Sequence, residues 1–483
     1  MFVDDFLIEG LEGGAELRLH HPEPRELVLV LDQPWEGSGS GGYQSMFWDG
    51  EVCRMYYKGW HIGFDTGKKK ILPAPSAMCY AESADGIHWR RPSLGLVEFK
   101  GSKDNNIIAA DGMMAGMKMV AGVMAVMKDD NPAATAEGRY KGFGLSIKPK
   151  GIVPLQSPDG LRWSPMTDHP VITNGAFDNQ NVAFWNPAEQ KYRAYWRFFA
   201  HGDNNTATAN PKGVRAIRTA TSADFIHWQE EAEVTYEDSP EEALYTTPIK
   251  PYHRAPHLLL GFPARYVERD SPVSQQALPE REHRELRKSV NPRYGNALTE
   301  GLLMAGRDGV RFKRWNEAFL RPGPERPGTW NYGQQFIASH PVETKSSLEG
   351  AADQLSLYAS ESYWTGRSSE VRRYVLRLDG FVSLHAPMKG GGLLTKPLRF
   401  SGRELSLNFA SSSAGEVRVE IQDVEGRPLP GFALGDCDPL FGDTVARPVS
   451  WGGGKDVSAL ARTPVRLRFM LKDADVYSYR FQD

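Results

Sequence analysis

The sequence has few cysteines and little excess charge of either sign. Its three cysteines, Cys53, Cys79 and Cys437, are spaced too widely for a zinc site or a disulfide framework. Because Cys53 and Cys79 lie in strand-like runs, we expect buried thiols. The 57 basic and 60 acidic residues leave a net charge of −3. This balance gives no reason to expect nucleic acid or an anionic membrane as a partner.

The sequence also lacks long apolar runs. No segment approaches the roughly 20 apolar residues that a membrane-spanning helix needs. The N-terminal residues 1–6 have neither a basic region nor an apolar signal core. The localisation therefore stays open between cytoplasmic and, if a signal peptide was removed, secreted or periplasmic. The oligomeric state is open too, no cofactor is expected, and no metal-ligand set is readable.

Aromatic residues, glycine and proline are plentiful. Aromatics make up 11% of the chain, beside 48 Gly and 33 Pro, as is typical of many short strands joined by turns. One pattern, Ser-x-Asp-Gly/Phe-x-x-Trp, recurs and ends at Trp89, Trp163 and Trp228, and a longer variant ends at Trp315. Repeats that are built from strands and closed by the same motif predict a β-propeller with four recognisable blades. We assign the repeated motif to turns and blade packing, without a catalytic role.

The remaining strand patterns complete the predicted architecture. A fifth blade is inferred between Asn331 and Arg377, without the closing motif. The charged segment Val267–Asn296 is predicted to be an insertion, either a helix around Pro279–Lys288 or a lid over the site. After residue 380, period-two strands separated by Gly, Pro and Asp predict a β-sandwich. The fold class is therefore all-β, with a five-bladed β-propeller over residues 1–380 and a β-sandwich over 381–483.

Three carboxylates stand where innermost propeller strands begin, near the axis. Glu36 precedes the first strand of blade one, Asp178 opens blade three, and Glu242 opens blade four. Hydrolysis of a glycosidic bond needs such a pair, one carboxylic acid to protonate the leaving oxygen and one carboxylate as nucleophile or base. Structural alternatives remain open. Asp178 could cap a turn, Glu242 could be surface charge within an acidic run, and Glu36 could belong to a flexible loop.

A sugar site also needs aromatic platforms and polar side chains. The candidates by position are Trp35, Gln180, Asn181, Arg197, Arg254, Trp330 and Tyr332. Each of them could instead serve blade packing or a structural hydrogen bond.

At the level of architecture and motifs, the chain resembles glycoside hydrolase family 32, the β-fructofuranosidases, and its relatives in family 43. The likeness is closest to bacterial family-32-like hydrolases of unassigned specificity. It covers essentially the whole chain as scattered motifs. The segments that carry it are Pro34-Trp-Glu-Gly37, Arg54-Met-Tyr-Tyr57, Gly101-Ser-Lys-Asp-Asn-Asn106, Phe177-Asp-Asn-Gln-Asn181 and Arg254-Ala-Pro-His257.

This resemblance implies roles for individual residues. Asp178 falls where family 32 has its transition-state stabiliser, and Glu242 falls where that family has its general acid. The residues flanking both differ from the family motifs. The nucleophile of family 32 would fall near Gly41, where no acid stands, so Glu36 is the nearest substitute. The spacing of the carboxylates, roughly 6.5–9.5 Å or about 5–5.5 Å, distinguishes inverting from retaining enzymes.

The sequence thus predicts a glycosidase that acts on an oligo- or polysaccharide, with a furanoside as one candidate. Carbohydrate is the expected partner. Two alternatives stay open. A non-catalytic glycan-binding propeller would keep the aromatic residues without needing Glu242. A glycoside phosphorylase would need a basic phosphate pocket, for which Arg197 and Arg254 are the candidates.

Overall fold

The computed structural model describes residues 1–204 and 212–483. The described chain divides into two compact units. One unit comprises Pro22–Thr344 and Ser356–Val375. The other comprises Met1–His21, Lys345–Leu355 and Leu376–Asp483. The N-terminal 21 residues therefore group with the C-terminal strands, whereas the sequence pattern predicts them as part of the propeller domain.

Three strands precede the blades: β1 (Ile8–Gly13), β2 (Glu16–Leu19) and β3 (Glu23–Leu31). Blade one follows with seven strands: β4 (Ser45–Asp49), β5 (Val52–Gly59), β6 (Ile62–Asp65), β7 (Lys70–Pro73), β8 (Ala77–Ser83), β9 (Trp89–Arg90) and β10 (Ile107–Ala110). Strands β6 and β7 form a separate hairpin, and the other five form one sheet in which β4 is an edge strand.

Blades two and three are simple antiparallel sheets. Blade two contains β11 (Gly112–Met114), β12 (Met117–Lys128), β13 (Tyr140–Lys148), β14 (Lys150–Ser157) and β15 (Ser164–Pro165). Blade three contains β16 (Val182–Asn186), β17 (Lys191–Ala200), β18 (Val214–Ser222) and β19 (Trp228–Glu233). In both blades the strands pair in chain order, as expected for a meander.

Blade four contains the predicted insertion. Its strands are β20 (Thr235–Glu237), β21 (Ile249–Tyr252), β22 (Ala255–Gly261), β23 (Ala264–Glu268), β24 (Ala297–Gly301), β25 (Met304–Gly306) and β26 (Arg311–Arg314). Strands β23 and β24 form a hairpin beside the main sheet. Between them lie a 3₁₀ turn, Val273–Gln276, and two helices, α1 (Arg281–Val290) and α2 (Pro292–Asn296). The predicted helix around Pro279–Lys288 is thereby confirmed, with bounds shifted by two residues.

Blade five closes the ring. Its strands β27 (Val342–Thr344), β28 (Gln354–Glu361) and β29 (Ser369–Arg377) are completed by β3, which pairs with β29. The innermost strands adjoin one another around the axis, since β12 contacts β4 and β16, β16 contacts β21, and β27 contacts β4. The described residues thus form five blade sheets around one axis, as the sequence predicted.

The repeated closing motif is a local turn that docks on the preceding blade. In blade one, Ser83 Oγ accepts a hydrogen bond from the Gly86 amide at 2.9 Å, and the Trp89 indole donates to the Gly86 carbonyl at 3.0 Å. The Tyr358 hydroxyl of blade five also donates to that carbonyl. Blade two repeats the docking, where Arg54 of blade one donates to the Asp159 carbonyl at 2.7 Å. These contacts give the motif a structural role.

The second unit is an antiparallel sheet of seven strands, β1 and β2 with β30 (Val382–Ala386), β31 (Gly391–Thr395), β32 (Glu404–Gln422), β33 (Asp443–Pro448) and β34 (Arg466–Gln482). Strand β1 pairs with β31 and β2 with β30, which is why the N-terminal residues belong here. The long strands β32 and β34 pair along two stretches that are separated by an irregularity between Ser411 and Glu416. Because hydrogen bonds join all seven strands, a sandwich of two sheets remains a prediction.

Candidate functional site

The ends at which the innermost strands begin carry a cluster of aromatic side chains from several blades. Tyr43 precedes β4, Tyr245 precedes β21, and Tyr332 and Phe336 precede β27. Phe336 stacks on Tyr43 at 5.8 Å and on Tyr245 at 5.2 Å between ring centroids. The hydroxyls of Tyr245 and Tyr332 are 2.6 Å apart. We call this end of the propeller axis the axial site.

Asp178 is the carboxylate that the structure exposes beside this cluster. Its side chain is 51% exposed, and it accepts a hydrogen bond from Arg197, whose side chain is 3% exposed. The Arg197 guanidinium carbon lies 5.0 Å from the centroid of the Tyr245 ring. Burial acts to lower the pKa of Arg197, but the Asp178 charge and Tyr245 outweigh it, so the pKa is raised. Arg197 thereby fixes the orientation of the Asp178 side chain.

The amides after Asp178 hold the loop in place. Asn181 Nδ2 donates to the carbonyls of Phe177 and Asn179, each at 2.9 Å. Gln180 Nε2 donates to the Gln44 carbonyl at 3.0 Å. The amide nitrogens of Gln180 and Asn181 therefore bind backbone carbonyls. A sugar-binding role of these two side chains remains a prediction. Their side-chain oxygens are buried without a partner among the described residues.

Lys58, at the end of β5, is a titratable residue that sequence reasoning missed. Its side chain is buried, and its Nζ lies 3.8 Å from the centroid of the Trp60 ring and 5.9 Å from that of Tyr43. Burial lowers the pKa of Lys58 from 10.5 to about 8, although Asp178 and Asp111 act in the opposite direction. The signal in the sequence was a lysine ending an apolar strand run.

The blade-four insertion packs against the same aromatic cluster. Tyr294 of α2 lies 5.0 Å from Trp364 and 6.3 Å from Tyr332 between ring centroids. Arg284 of α1 donates to the Trp330 carbonyl at 2.8 Å, and Arg287 donates to Asn331 Oδ1 at 2.8 Å. These contacts fit the predicted lid. The rings of Tyr332 and Trp364 lie 5.0 Å apart.

Trp330, in contrast, contacts the insertion through its backbone carbonyl, which accepts from Arg284. Its indole donates to the Gly323 carbonyl at 2.8 Å in an exposed position. Its φ angle is 59°, which is an unusual conformation for a residue with a side chain. Of the two aromatic residues predicted in this segment, Tyr332 is therefore the one that reaches the cluster.

Glu36 lies in a closed network instead of the axial site. Its carboxylate is fully buried, accepts from the Tyr57 hydroxyl at 2.5 Å, and pairs with Arg91 at 3.1 Å. Trp35 donates its indole proton to Asn106, which itself donates to the Tyr57 hydroxyl. Burial raises the pKa of the Glu36 carboxyl, and the Arg91 charge opposes that shift. These partners argue for a structural role of both side chains, and the nucleophile role of Glu36 and the platform role of Trp35 remain predictions.

Glu242 is occupied by two guanidinium groups. Its Oε1 pairs with Arg265 at 3.1 Å and its Oε2 with Arg314 at 2.9 Å. It lines a cavity of about 640 Å³ together with Phe199, Arg215 and other residues of blades three and four. A general acid needs a carboxyl oxygen that can carry a proton to the leaving group. Both oxygens of Glu242 instead accept from arginines, and Asp178 is not among its partners.

Arg254 lies at the other end of the axis, after β21. It pairs with Glu343 at 3.2 Å, and His253 contacts the same carboxylate at 2.8 Å. A cavity of about 660 Å³ opens here, lined by residues in or beside all five inner strands. His253 and Glu343 are among these residues. The structure therefore separates Arg254 from Asp178 and Arg197, although the sequence predicts all three in one site.

Of the predicted site residues, the structure brings Asp178, Arg197 and Tyr332 together through the tyrosine cluster. Within residues 1–204 and 212–483, no group of three or more His, Cys, Asp and Glu side chains is arranged to hold a metal ion. No helix in that part of the chain is long and apolar enough to cross a membrane. The three cysteines are buried and unpaired, as expected.

Comparison with known proteins gives structural neighbours but no family. No protein-family profile matches the sequence, and no curated protein matches it. Among solved structures, a glycoside hydrolase family 43 arabinoxylan arabinofuranohydrolase from Bacillus subtilis is 11% identical, with a TM-score of 0.41 over 93% of this chain and 97% of that one. An exo-β-1,3-galactanase from Phanerochaete chrysosporium is 9% identical, with a TM-score of 0.37 over 96% of this chain and 99% of that one.

A third neighbour is an N-acetylgalactosamine deacetylase from F. plautii, 11% identical, with a TM-score of 0.43 over 76% of this chain and 96% of that one. The structural neighbours thus include family 43 enzymes. The resemblance to family 32 is not among these findings and remains a prediction. At such identities and TM-scores, the neighbours assign no activity to this chain.

Proposed function

We propose that the chain is a glycosidase whose reaction centre is the axial site, with Asp178 as its catalytic carboxylate. The observation that carries the proposal is the exposure of Asp178 beside otherwise buried side chains. A half-exposed carboxylate stands at the convergence of the blades, fixed by the buried Arg197 and flanked by aromatic rings. Aromatic side chains beside a few fixed polar groups are typical of small-molecule and sugar sites.

Cleavage of a glycosidic bond needs a proton donor as well as a carboxylate. We assign the donor to Lys58, because its Nζ lies 5.9 Å from the centroid of the Tyr43 ring in the axial site and its charge interacts with that of Asp178. Its pKa of about 8 keeps the amine protonated at neutral pH. Lys58 gives its proton to the glycosidic oxygen as the bond from that oxygen to the anomeric carbon breaks. Glu242 remains the competing donor that the sequence suggested, and its two arginine partners argue against it.

Asp178 then assists the attack on the anomeric carbon in one of two ways. As a base it takes a proton from the attacking water, which inverts the configuration. As a nucleophile it forms a glycosyl ester that water hydrolyses in a second step, which retains the configuration. The anomeric configuration of the first product distinguishes the two routes. A furanoside remains one candidate for the cleaved sugar, and the choice of substrates tests it.

The experiment is product release from fructans, arabinans, neutral pyranose glycans and acidic glycans by wild type and by Asp178→Asn. Asp168→Asn is the matched control, because Asp168 is an exposed aspartate whose partner is the neighbouring His169. We expect cleavage by wild type and by the control, and at least a hundredfold loss in Asp178→Asn. Undiminished cleavage by a folded Asp178→Asn would refute the assignment. Glycan binding without cleavage by wild type would favour a binding propeller.

A further inference from the structure

Two arginines beside the axial site have no anionic partner among residues 1–204 and 212–483. Arg215 of β18 is 8% exposed, and Arg293 of α2 is half-buried. The Nε atom of each is buried without a hydrogen-bond partner among the described residues. Neither guanidinium pairs with a carboxylate in that part of the chain, whereas Arg218, on the same strand as Arg215, pairs with Glu231 at 3.1 Å and Glu233 at 2.9 Å.

Aromatic rings cover the faces of these guanidinium groups and leave their edges unused. The Arg215 guanidinium carbon lies 4.1 Å from the centroid of Tyr266 and 5.3 Å from that of Tyr245. The Arg293 guanidinium carbon lies 4.8 Å from the centroid of Tyr294. Cation–π contacts stabilise the charge through the flat face. The N–H donors of a guanidinium lie in its plane, where they fit a carboxylate or sulfate in bidentate fashion.

The two arginines and the reaction centre share the tyrosine cluster. Arg197, which holds Asp178, and Arg215 lie 5.0 Å and 5.3 Å from the same Tyr245 centroid. Arg293 lies 6.0 Å from the centroid of Tyr332, whose hydroxyl contacts that of Tyr245. A sugar bound at Asp178 therefore has cationic groups within about one sugar ring. A buried charge without a partner is costly, so an anionic ligand would relieve it.

The acidic side chains nearby already have ion-pair or hydrogen-bond partners other than these two arginines. Glu242 lines the same cavity as Arg215 but is held by Arg265 and Arg314. Glu241 is paired with His201 at 3.3 Å. Glu268 accepts from the Tyr266 hydroxyl at 2.6 Å. None of them neutralises Arg215 or Arg293 within hydrogen-bonding distance among the described residues.

We propose that the substrate is an acidic glycan and that Arg215 and Arg293 bind the carboxylate or sulfate of the sugar adjoining the cleaved bond. The inference rests on the proposed function for the identity of the site but concerns binding, which is measured without turnover. The acid group of the bound sugar lies next to Arg215 and Arg293, and the cleaved bond lies next to Asp178. The arginines are specificity-determining residues that take no part in the proton transfers.

The test measures binding of three methyl glycosides to the full chain by calorimetry: a hexuronate, a 6-sulfated hexose and the parent neutral hexose. The variants are Arg215→Gln, Arg293→Gln and Arg215→Lys, with Arg218→Gln as the matched control from the same strand. We expect wild type and the control to bind an acidic sugar at least tenfold more tightly than the neutral one. Arg215→Gln and Arg293→Gln lose that preference, and Arg215→Lys, which keeps the charge without the planar fork, is intermediate.

The two acidic ligands distinguish a carboxylate site from a sulfate site. Equal binding of acidic and neutral sugars by wild type would overturn the inference, as would an acid preference that survives in both folded glutamine variants. Acid-selective binding through the arginines without any hydrolysis would leave this inference standing and refute the hydrolase. Hydrolysis of neutral glycans without any preference for acidic sugars would refute this inference and leave the proposed hydrolase standing.

Discussion

Replacing Lys58 with methionine is expected to stabilise the fold while removing activity. The lysine is buried, and its pKa falls from 10.5 in an exposed chain to about 8 in the folded protein. This shift corresponds to about 3 kcal/mol of unfavourable free energy for the charged amine in the folded state at neutral pH. Methionine has a similar length, no charge and a strong preference for packing beside aromatic rings such as Trp60.

The pH dependence gives the sign of the effect. Below about pH 8 the amine is protonated in both states, so the folded protein carries the full penalty. Between about pH 8 and 10.5 the folded protein has lost the proton and the unfolded chain has not, so the unfolding free energy of wild type rises with pH. Above that window the penalty is absent. The advantage of Lys58→Met should therefore be largest near neutrality and vanish towards pH 10.5.

Urea unfolding of both proteins at a series of pH values, followed by tryptophan fluorescence, measures this difference. Lys118→Met is the control, because Lys118 is an exposed lysine of β12. It should change the unfolding free energy by less than about 0.5 kcal/mol. The same samples should show at least a hundredfold lower activity for Lys58→Met on any glycan that wild type cleaves. A variant that is no more stable than wild type at neutral pH, or whose advantage is independent of pH, would refute the reasoning.

The remaining predictions concern the other two carboxylates. Glu36→Gln should lower the unfolding free energy by about 3 kcal/mol, because it leaves the partly buried charge of Arg91 without its counterion; activity lost at unchanged stability in urea titrations would instead place Glu36 in the reaction. Glu242→Gln should keep activity within about threefold and lose about 1 kcal/mol of stability through its contacts with Arg265 and Arg314. If this variant remains folded but is inactive in the same product-release assay, Glu242 and not Lys58 is the donor.

The blades could be predicted because their signals are local. In the closing motif, Asp85 accepts from the amide of Ile87 at 2.8 Å, and the Trp89 indole bonds a carbonyl three residues earlier. Such contacts depend on neighbouring residues and leave the same trace at each repeat. The grouping of the N-terminal residues with the C-terminal strands was not predictable in this way, because it depends on the pairing of β1 with β31, and such long-range pairing leaves no local trace.

The candidate site was predicted only in part, since position along a strand does not report which end of the axis a residue reaches. Asp178 was found because it opens an inner strand. Arg254 follows β21 and so lies at the opposite end from Asp178, although its residue type suited a sugar site. The surroundings of Glu36 depend on its ion pair with Arg91, which is 55 residues away in the sequence.

The sequence by itself determined the strand-turn repeats, the number of blades and the candidate aspartate, because short-range hydrogen bonds and period-two patterning specify them. Tertiary structure alone decided the burial of Lys58, the pairing of Tyr245 with Tyr332 across 87 residues, and the unpartnered edges of Arg215 and Arg293. The physical reason is that pKa, solvent exposure and charge pairing depend on the surroundings of a side chain. Those surroundings exist only once the blades have closed around their axis.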